Sequence, residues 1–467
     1  KTVASQPSGK AHYFTTRLTM AQKIKALLDE EIAAYAARNP RSQAMFARAK
    51  QSLPGGNTRT GVHIDPFPLY ADRGEGAYLY DIDGHRLIDF VNNNTALPLG
   101  HAHPAIVAAL CEQIARGTGF SRPLALEVEM AEALRLRMPA LEKVRFCSSG
   151  TEAVLNALRV ARAHTGRTKV AKFEGAYHGI DDSALVSYLP PLGPDLGAAS
   201  KPQGVASSAG LMAHTLDEVV VLPFNDAAAC AELIGANAHE LAAVIVDPLS
   251  TAAGLVLPEA GFLPSLRAAT TRAGALLIFD EIVSFRFGPG GTHTAYQVRP
   301  DLVCLGKVIA GGTPGAAFGG RADAMDLYDP ADGPPIQQSG TFNANPIALT
   351  AGLQTLKALT PKAYEQMEGL ARRAAEGLQA AFGEVGIAVQ VVVAGSIFRL
   401  YFLARPPRNF RAAALDDAQM HRWLFFALLN KGLYTRTGGN VSLATEAHHI
   451  DALVQGVREV VHTSYGR

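Results

Sequence analysis

The stretch LLIFDEIVSFRF, residues 276–287, decides how the chain is read. An apolar run suited to a buried strand ends abruptly in two acids, Asp280 and Glu281. Burying a carboxylate is costly unless a partner compensates it. Either the strand reaches solvent here, or a positively charged group waits at its end. Taken alone the stretch favours the solvated end, so the surrounding sequence has to decide.

Outward from this point, short apolar runs alternate with helical patterns. Candidate strands are KVRFCSS (143–149), KVAKFEG (169–175), AAVIVDPL (242–249), ALLIFDE (275–281), LVCLG (302–306) and AAFGGR (316–321). A predicted helix, TEAVLNALRVARA (151–163), puts Val154, Leu158 and Ala161 on one face and Glu152, Asn156, Arg159 and Arg162 on another. Continuous apolar strands between helices predict a buried, mostly parallel α/β sheet. Upstream, 20–50 is helical in composition, SLPGGNTRTG (52–61) breaks it, and YLYDIDGHRLIDF (78–90) predicts a hairpin around Asp83-Gly84. Residues 188–213 are rich in Pro, Gly, Ser and Ala without a helix period; a loop this long is functional or mobile. Past Pro346 the pattern gives helix, a strand at IFRLYFL (397–403), an amphipathic helix around 416–431 and a terminal helix after 447. The expected division is a tag or disordered extension (1–19), an N-terminal segment of a small α+β domain (20–95), a large domain (96–345) and the C-terminal part of the small domain (346–467).

Composition narrows the function. With 467 residues, 48% hydrophobic and a net charge of +1, the chain reads as a soluble globular enzyme, with no nucleic-acid partner. No run is long and apolar enough for a membrane helix. Cys111, Cys147, Cys230 and Cys304 lie far apart without CxxC pairing, which fits reduced thiols and a cytoplasmic location. His101, His103, His448 and His449 read as loop histidines, and no metal is expected.

Four stretches fall at the carboxyl ends of predicted strands, where open α/β sheets bind ligands. CSSGTEA (147–153) ends a strand and starts a helix whose N-terminus suits an anion; alone it is also an ordinary N-cap. GAYHG (175–179) offers an aromatic ring and an imidazole, and the opening stretch offers its acids. LVCLGKVIAGG (302–312) places Lys307 after an apolar strand, where desolvation makes an amine nucleophilic. A phosphate site, an aromatic platform, an acid and a lysine are together the set that holds pyridoxal phosphate. Asp280 then meets a cationic ring nitrogen, which answers the question of the buried acid. No P-loop, GxGxxG, HExxH or GxSxG pattern competes.

At this point the sequence resembles the class III aminotransferases of pyridoxal-phosphate fold type I, in the branch that holds glutamate-1-semialdehyde aminomutase and the β-phenylalanine aminotransferases. The resemblance runs from roughly residue 40 to the C-terminus. Its motifs are LPGGNTRTG, RGEGAYLYDIDGHRLIDF, LGHAHP, CSSGTEA, GAYHG, FDEIVSFRF, the LGK lysine and SGTFNANP (339–346). It implies that Ser149, Gly150 and Thr151 hold the phosphate, with Tyr177 stacked on the ring beside His178. Asp280 would pair with the ring nitrogen, Ile282 would pack on the opposite face, and Lys307 would hold the cofactor covalently. Gly340 and Thr341 would reach the phosphate of a neighbouring subunit, making a homodimer the functional unit, and the 188–213 loop would be a substrate gate. The chain departs from the pattern at Asp247-Pro248, where the family usually has Glu-Pro, and at Ala252, where the aminomutases have Asn. Arg59 matches the β-amino-acid enzymes' carboxylate-binding position, and their second arginine falls near Gly438, with Arg436 two residues away. The implied activity is transfer of an amino group from an amino acid, β-amino acids included, or an amine to a keto acid. The alternatives are the aminomutase and, more remotely, a non-catalytic cofactor-binding relative.

Overall fold

A computed structural model describes residues 10–333 and 336–465. Its centre is a seven-stranded sheet in the order 143–147, 316–320, 302–305, 276–280, 241–246, 169–173 and 219–222. The strand Leu276–Asp280 therefore sits in the middle, flanked in parallel by Leu302–Leu305 and Leu241–Val246. Ala316–Gly320 alone runs the other way, antiparallel to both its neighbours. The sheet is mixed but mostly parallel, as expected.

Period-two geometry explains how a continuous apolar strand is used. Ile245, Ile278 and Cys304 join one cluster under the helix Gly150–Thr165 with Val154, Ala157 and Leu158. Val244, Val246, Leu277 and Phe279 join the opposite cluster with Phe262, Leu263 and Leu266 of the helix Phe262–Ala273. Both faces are covered, so neither strand needs polar alternation.

The edge strand Val219–Leu222 lies outside the six expected from sequence. The N-terminal helix runs Lys10–Arg38 and breaks at Asn39, with Pro40 opening a second helix through Ala49. Helix thus begins inside the stretch read as an extension; residues 1–9 of that stretch lie outside the described residues. The expected hairpin forms from Tyr78–Asp81 and Arg86–Asp89, and Leu433–Tyr434 pairs in parallel with its second strand. A three-stranded sheet joins Gln390–Ala394, Ile397–Tyr401 and Gly438–Asn440. Within 188–213 the chain forms a two-residue ribbon, Gly197–Ala198 against Lys201–Pro202. Arg411 ties that loop down: it grips Glu174 with two 2.9 Å bonds and donates to the Leu196 carbonyl at 2.7 Å and the Gly197 carbonyl at 2.8 Å. All four cysteines are free thiols. No helix among the described residues is long and apolar enough to cross a membrane.

The two acids of the opening stretch part company. Asp280 faces the pocket described below, whereas Glu281 is fully buried behind it. Its carboxylate accepts from Thr292 N at 2.9 Å, Thr292 Oγ1 at 2.6 Å, His293 N at 3.0 Å and Ser284 Oγ at 3.1 Å. Burial outweighs these bonds and pushes Glu281 up to about 7. Below the unfolded value of 4.5 both states carry the proton and nothing is lost. As pH rises towards 7 the unfolded chain ionises first, so stability falls, by on the order of 3 kcal/mol once the folded group has also ionised. Glu281→Gln keeps the shape, and its amide can donate to Ser284. The variant is expected to be more stable than the parent at pH 8 and to lack the decline between pH 5 and 7, read from denaturant midpoints. Equal destabilisation at both ends of that range would mean that Glu281 is ionised throughout.

Candidate active site

At the carboxyl edge of the central strands lies a cavity of about 390 Å³. Tyr177, Asp280, Ile282 and Lys307 all line it, although they are far apart in sequence. The parallel sheet does this, because strand ends that point the same way gather the residues that follow them.

Asp280 is 5% exposed; its Oδ2 lies 2.7 Å from His178 Nδ1, and its Oδ1 accepts from Ile282 N at 3.1 Å. His178 is itself buried, and its Nε2 has no partner among the described residues. Burial, and after it the nearby Asp280 carboxylate, hold Asp247 above the ordinary aspartate range. It is held by Thr251 through N at 2.7 Å and Oγ1 at 2.5 Å. The shorter acid at this Asp-Pro position therefore finds its partners in the turn that follows it.

Lys307 opens a short 3₁₀ turn at φ 46°, a left-handed conformation costly for a residue with a side chain. Burial lowers its amine below the ordinary lysine value, against the opposing pull of Asp280 and Asp247. The shift favours the neutral, nucleophilic form. Tyr177 stands at the mouth with its ring 4.9 Å from that of Tyr188, a partner from the long loop that the motifs did not single out.

The stretch 149–151 is a cap as well as a candidate anion site. Ser149 Oγ accepts from Glu152 N at 3.3 Å, and the Glu152 carboxylate accepts from Ser148 N at 2.5 Å and Ser149 N at 3.0 Å. This reciprocal box leaves the Gly150 and Thr151 amides outside it. Both approaches around them are tight. A Cβ at Gly150 would lie 2.7 Å from Ile282 Cδ1, and one at Gly179 would lie 2.7 Å from Thr151 Oγ1. A glycine-walled cradle, a buried acid with its imidazole and a depressed amine fit a phosphorylated pyridine aldehyde.

The opposite wall comes from the other end of the chain. Asn92, Asn93, Asn94 and Thr95 form a run of left-handed residues, at φ 48°, 46°, 53° and 76°. Asparagine tolerates that region better than most residues, which accounts for the local NNN. Arg286, 1% exposed, donates to the Thr95 carbonyl at 3.0 Å, the Val441 carbonyl at 2.6 Å and Ser396 Oγ at 2.8 Å. It joins three segments that each carry wall residues: Asn94 and Thr95, Ile397 to Arg399, and Gly439 and Asn440.

Three expected residues fall elsewhere. Arg59 is absent from the Lys307 cavity; it lines a neighbouring one of about 550 Å³, where its Nη1 donates to Asn93 Oδ1 at 3.1 Å. Val91, Asn94 and Arg436 line both cavities. Gly340 and Thr341 are exposed and line neither cavity.

This arrangement defines a fold type I pyridoxal-phosphate enzyme, and a family model for the class III aminotransferases matches residues 60–461. The chain belongs to that family, and pyridoxal 5′-phosphate is its cofactor. It is 43% identical to a glutamate-1-semialdehyde 2,1-aminomutase from Roseiflexus castenholzii over 89% of this chain and 94% of the relative. An omega-transaminase from Sphaerobacter thermophilus superposes with a TM-score of 0.87 at 40% identity, covering 91% of this chain and 97% of that one. A β-phenylalanine aminotransferase from Variovorax paradoxus gives 0.83 at 35% identity, covering 94% and 98%.

Proposed function

We propose that the enzyme moves an amino group from an amino acid or amine to a keto acid, with Lys307 as the residue that holds the cofactor and carries the proton. The observation that carries this reading is the depressed Lys307 amine lining one cavity with the buried Asp280. When bound, pyridoxal phosphate supplies a ring that accepts electrons from the substrate carbon. Asp280 keeps the proton on the ring nitrogen, and His178 orients Asp280. Tyr177 and Ile282 would cover the two ring faces, Ser149, Gly150 and Thr151 would hold the phosphate, and Lys307 Nζ would take the proton from substrate Cα. In this reading Gly340 and Thr341, exposed on the single chain, serve the phosphate of a second subunit in a homodimer.

The second reading, glutamate-1-semialdehyde aminomutase, is favoured by the identity to relatives bearing that name. Against it stands Ala252, which lines the cavity where the aminomutase pattern has Asn. A panel of α-, β- and ω-amino donors against pyruvate and 2-oxoglutarate separates the two. Conversion of glutamate-1-semialdehyde with no transfer to either keto acid would select the aminomutase.

Arg59 is proposed to anchor the donor carboxylate, with β-amino acids among the donors, across the wall the two cavities share. Arg59→Ala is expected to raise KM for carboxylated donors by roughly 10- to 100-fold, the loss of one charge-assisted pairing, while sparing 1-phenylethylamine. An equal effect on both donor types would make Arg59 a scaffold residue for Asn93.

A further inference from the structure

A second buried lysine stands outside the chemistry described above. Lys172, on the strand Lys169–Phe173, is 1% exposed. Its surroundings on that face of the sheet are apolar: Val170 two residues back, Val221 across the ladder and Val186 from the following loop all belong to the cluster under the helix Gly150–Thr165. Burial alone pushes the Lys172 ammonium down to about 7, and no acid among the described residues answers it. Backbone answers it instead. Lys172 Nζ donates to the Ala176 carbonyl at 2.9 Å and to the Val186 carbonyl. An amine that has given up its extra proton keeps two N–H donors, one for each carbonyl.

Those carbonyls stand beside the two rings of the cavity mouth. Ala176 directly precedes Tyr177, and Val186 comes two residues before Tyr188. The two tyrosine rings lie 4.9 Å apart and tilted by 56°. Tyr188 is set between two left-handed residues, Ser187 at φ 52° and Leu189 at φ 41°. Such backbone persists only where its surroundings over-determine it. Gly175 N donates to the Ser187 carbonyl at 2.9 Å, and Ser187 N donates to the Val205 carbonyl at 2.7 Å. Lys172 adds a tie to both turns from the interior of the sheet. An apolar side chain of the same length would bury there at lower cost, but it would leave both carbonyls without this donor.

We propose that Lys172 is a positioning residue for the cavity mouth: by tying residue 176 to residue 186 it sets Tyr188 against Tyr177 and so fixes the Tyr177 ring over the Lys307 cavity. The inference rests on the reading that Tyr177 covers one face of the bound cofactor, and it makes Tyr188 the buttress of that ring. Tyr177 is 40% exposed, so a ring without its buttress is free to turn towards solvent.

The test compares Lys172→Met, which keeps the apolar stem and loses both bonds, with the parent. Hydrogen exchange of the apoenzyme reads the tie with no cofactor present. The amides of Gly175 and Ser187 are expected to exchange about 10-fold faster, with the helix Gly150–Thr165 unchanged. Visible circular dichroism of the holoenzyme reads the ring. The signal of the bound cofactor is expected to shift in the same direction in Lys172→Met, Tyr188→Leu and Tyr177→Leu, and kcat/KM of the Met variant to fall by up to about 100-fold. Should that variant fail to fold, Lys172→Gln, with two amide donors on a stem one atom shorter, is expected to give the same shifts at smaller size. Unchanged exchange at 175 and 187, or a dichroism signal moved by Tyr177→Leu and not by Lys172→Met, overturns the inference while the reading of Tyr177 stands. A signal unmoved by Tyr177→Leu removes that reading and the inference with it.

Discussion

Lys307→Ala is expected to bind pyridoxal phosphate without the absorbance of the covalently held cofactor, and to lose turnover by several orders of magnitude. Two functions disappear with one amine. The covalent attachment goes, and so does the base that carries the Cα proton, a contribution worth roughly 10²- to 10⁴-fold by itself. The site supports both roles because burial disfavours the charged ammonium while Asp280 and Asp247 stop it from falling further. Alanine keeps the Cβ and with it the cost of the left-handed φ of 46°, so the change removes the amine without altering that backbone strain. Single-turnover mixing with an amino donor reads this directly. Near-parental rates would remove Lys307 from the chemistry and the proposed mechanism with it.

Asp280→Asn comes next in size. The change keeps the shape at the end of the central strand but removes the negative charge proposed to face the ring nitrogen. Preorganised charge at such a site is worth roughly 10²- to 10³-fold in rate. Cα deprotonation should slow on that scale, with a larger share of the isotope effect expressed from an α-deuterated donor. Cofactor affinity should fall less, since the phosphate cradle proposed at 149–151 is untouched. His178, 2.7 Å from Asp280, loses its charged partner, so His178→Asn should show a weaker version of the same defect. Unchanged single-turnover rates would leave Asp280 as a structural strand end.

Much of this architecture was legible in the chain. Six of the seven central strands coincide with runs such as LLIFD and LVCL, because full burial on both faces demands uninterrupted apolar residues. Lys307, Asp280 and Tyr177 were legible for a related reason: polar residues placed just past such runs have to be at a strand end. Val219–Leu222 escaped notice because four apolar residues after a long loop carry no period. The reversed direction of Ala316–Gly320 was also invisible, since AAFGG reads the same in a parallel or an antiparallel ladder.

By itself the sequence determined the fold class, the family and the order in which the candidate site residues meet the sheet edge, since these follow from local periodicity and motif spacing. Only the tertiary structure decided which way each charged group faces. It sent Asp280 into the cavity and Glu281 behind it, set Arg59 in the neighbouring cavity, and turned Arg399 towards Lys307 from a strand more than 90 residues away in sequence. An arginine inside the apolar run IFRLYF was the one available signal for that last residue, and it carried no direction. Adjacent residues on a strand point to opposite faces, so burial and partners depend on what the rest of the chain packs against each face.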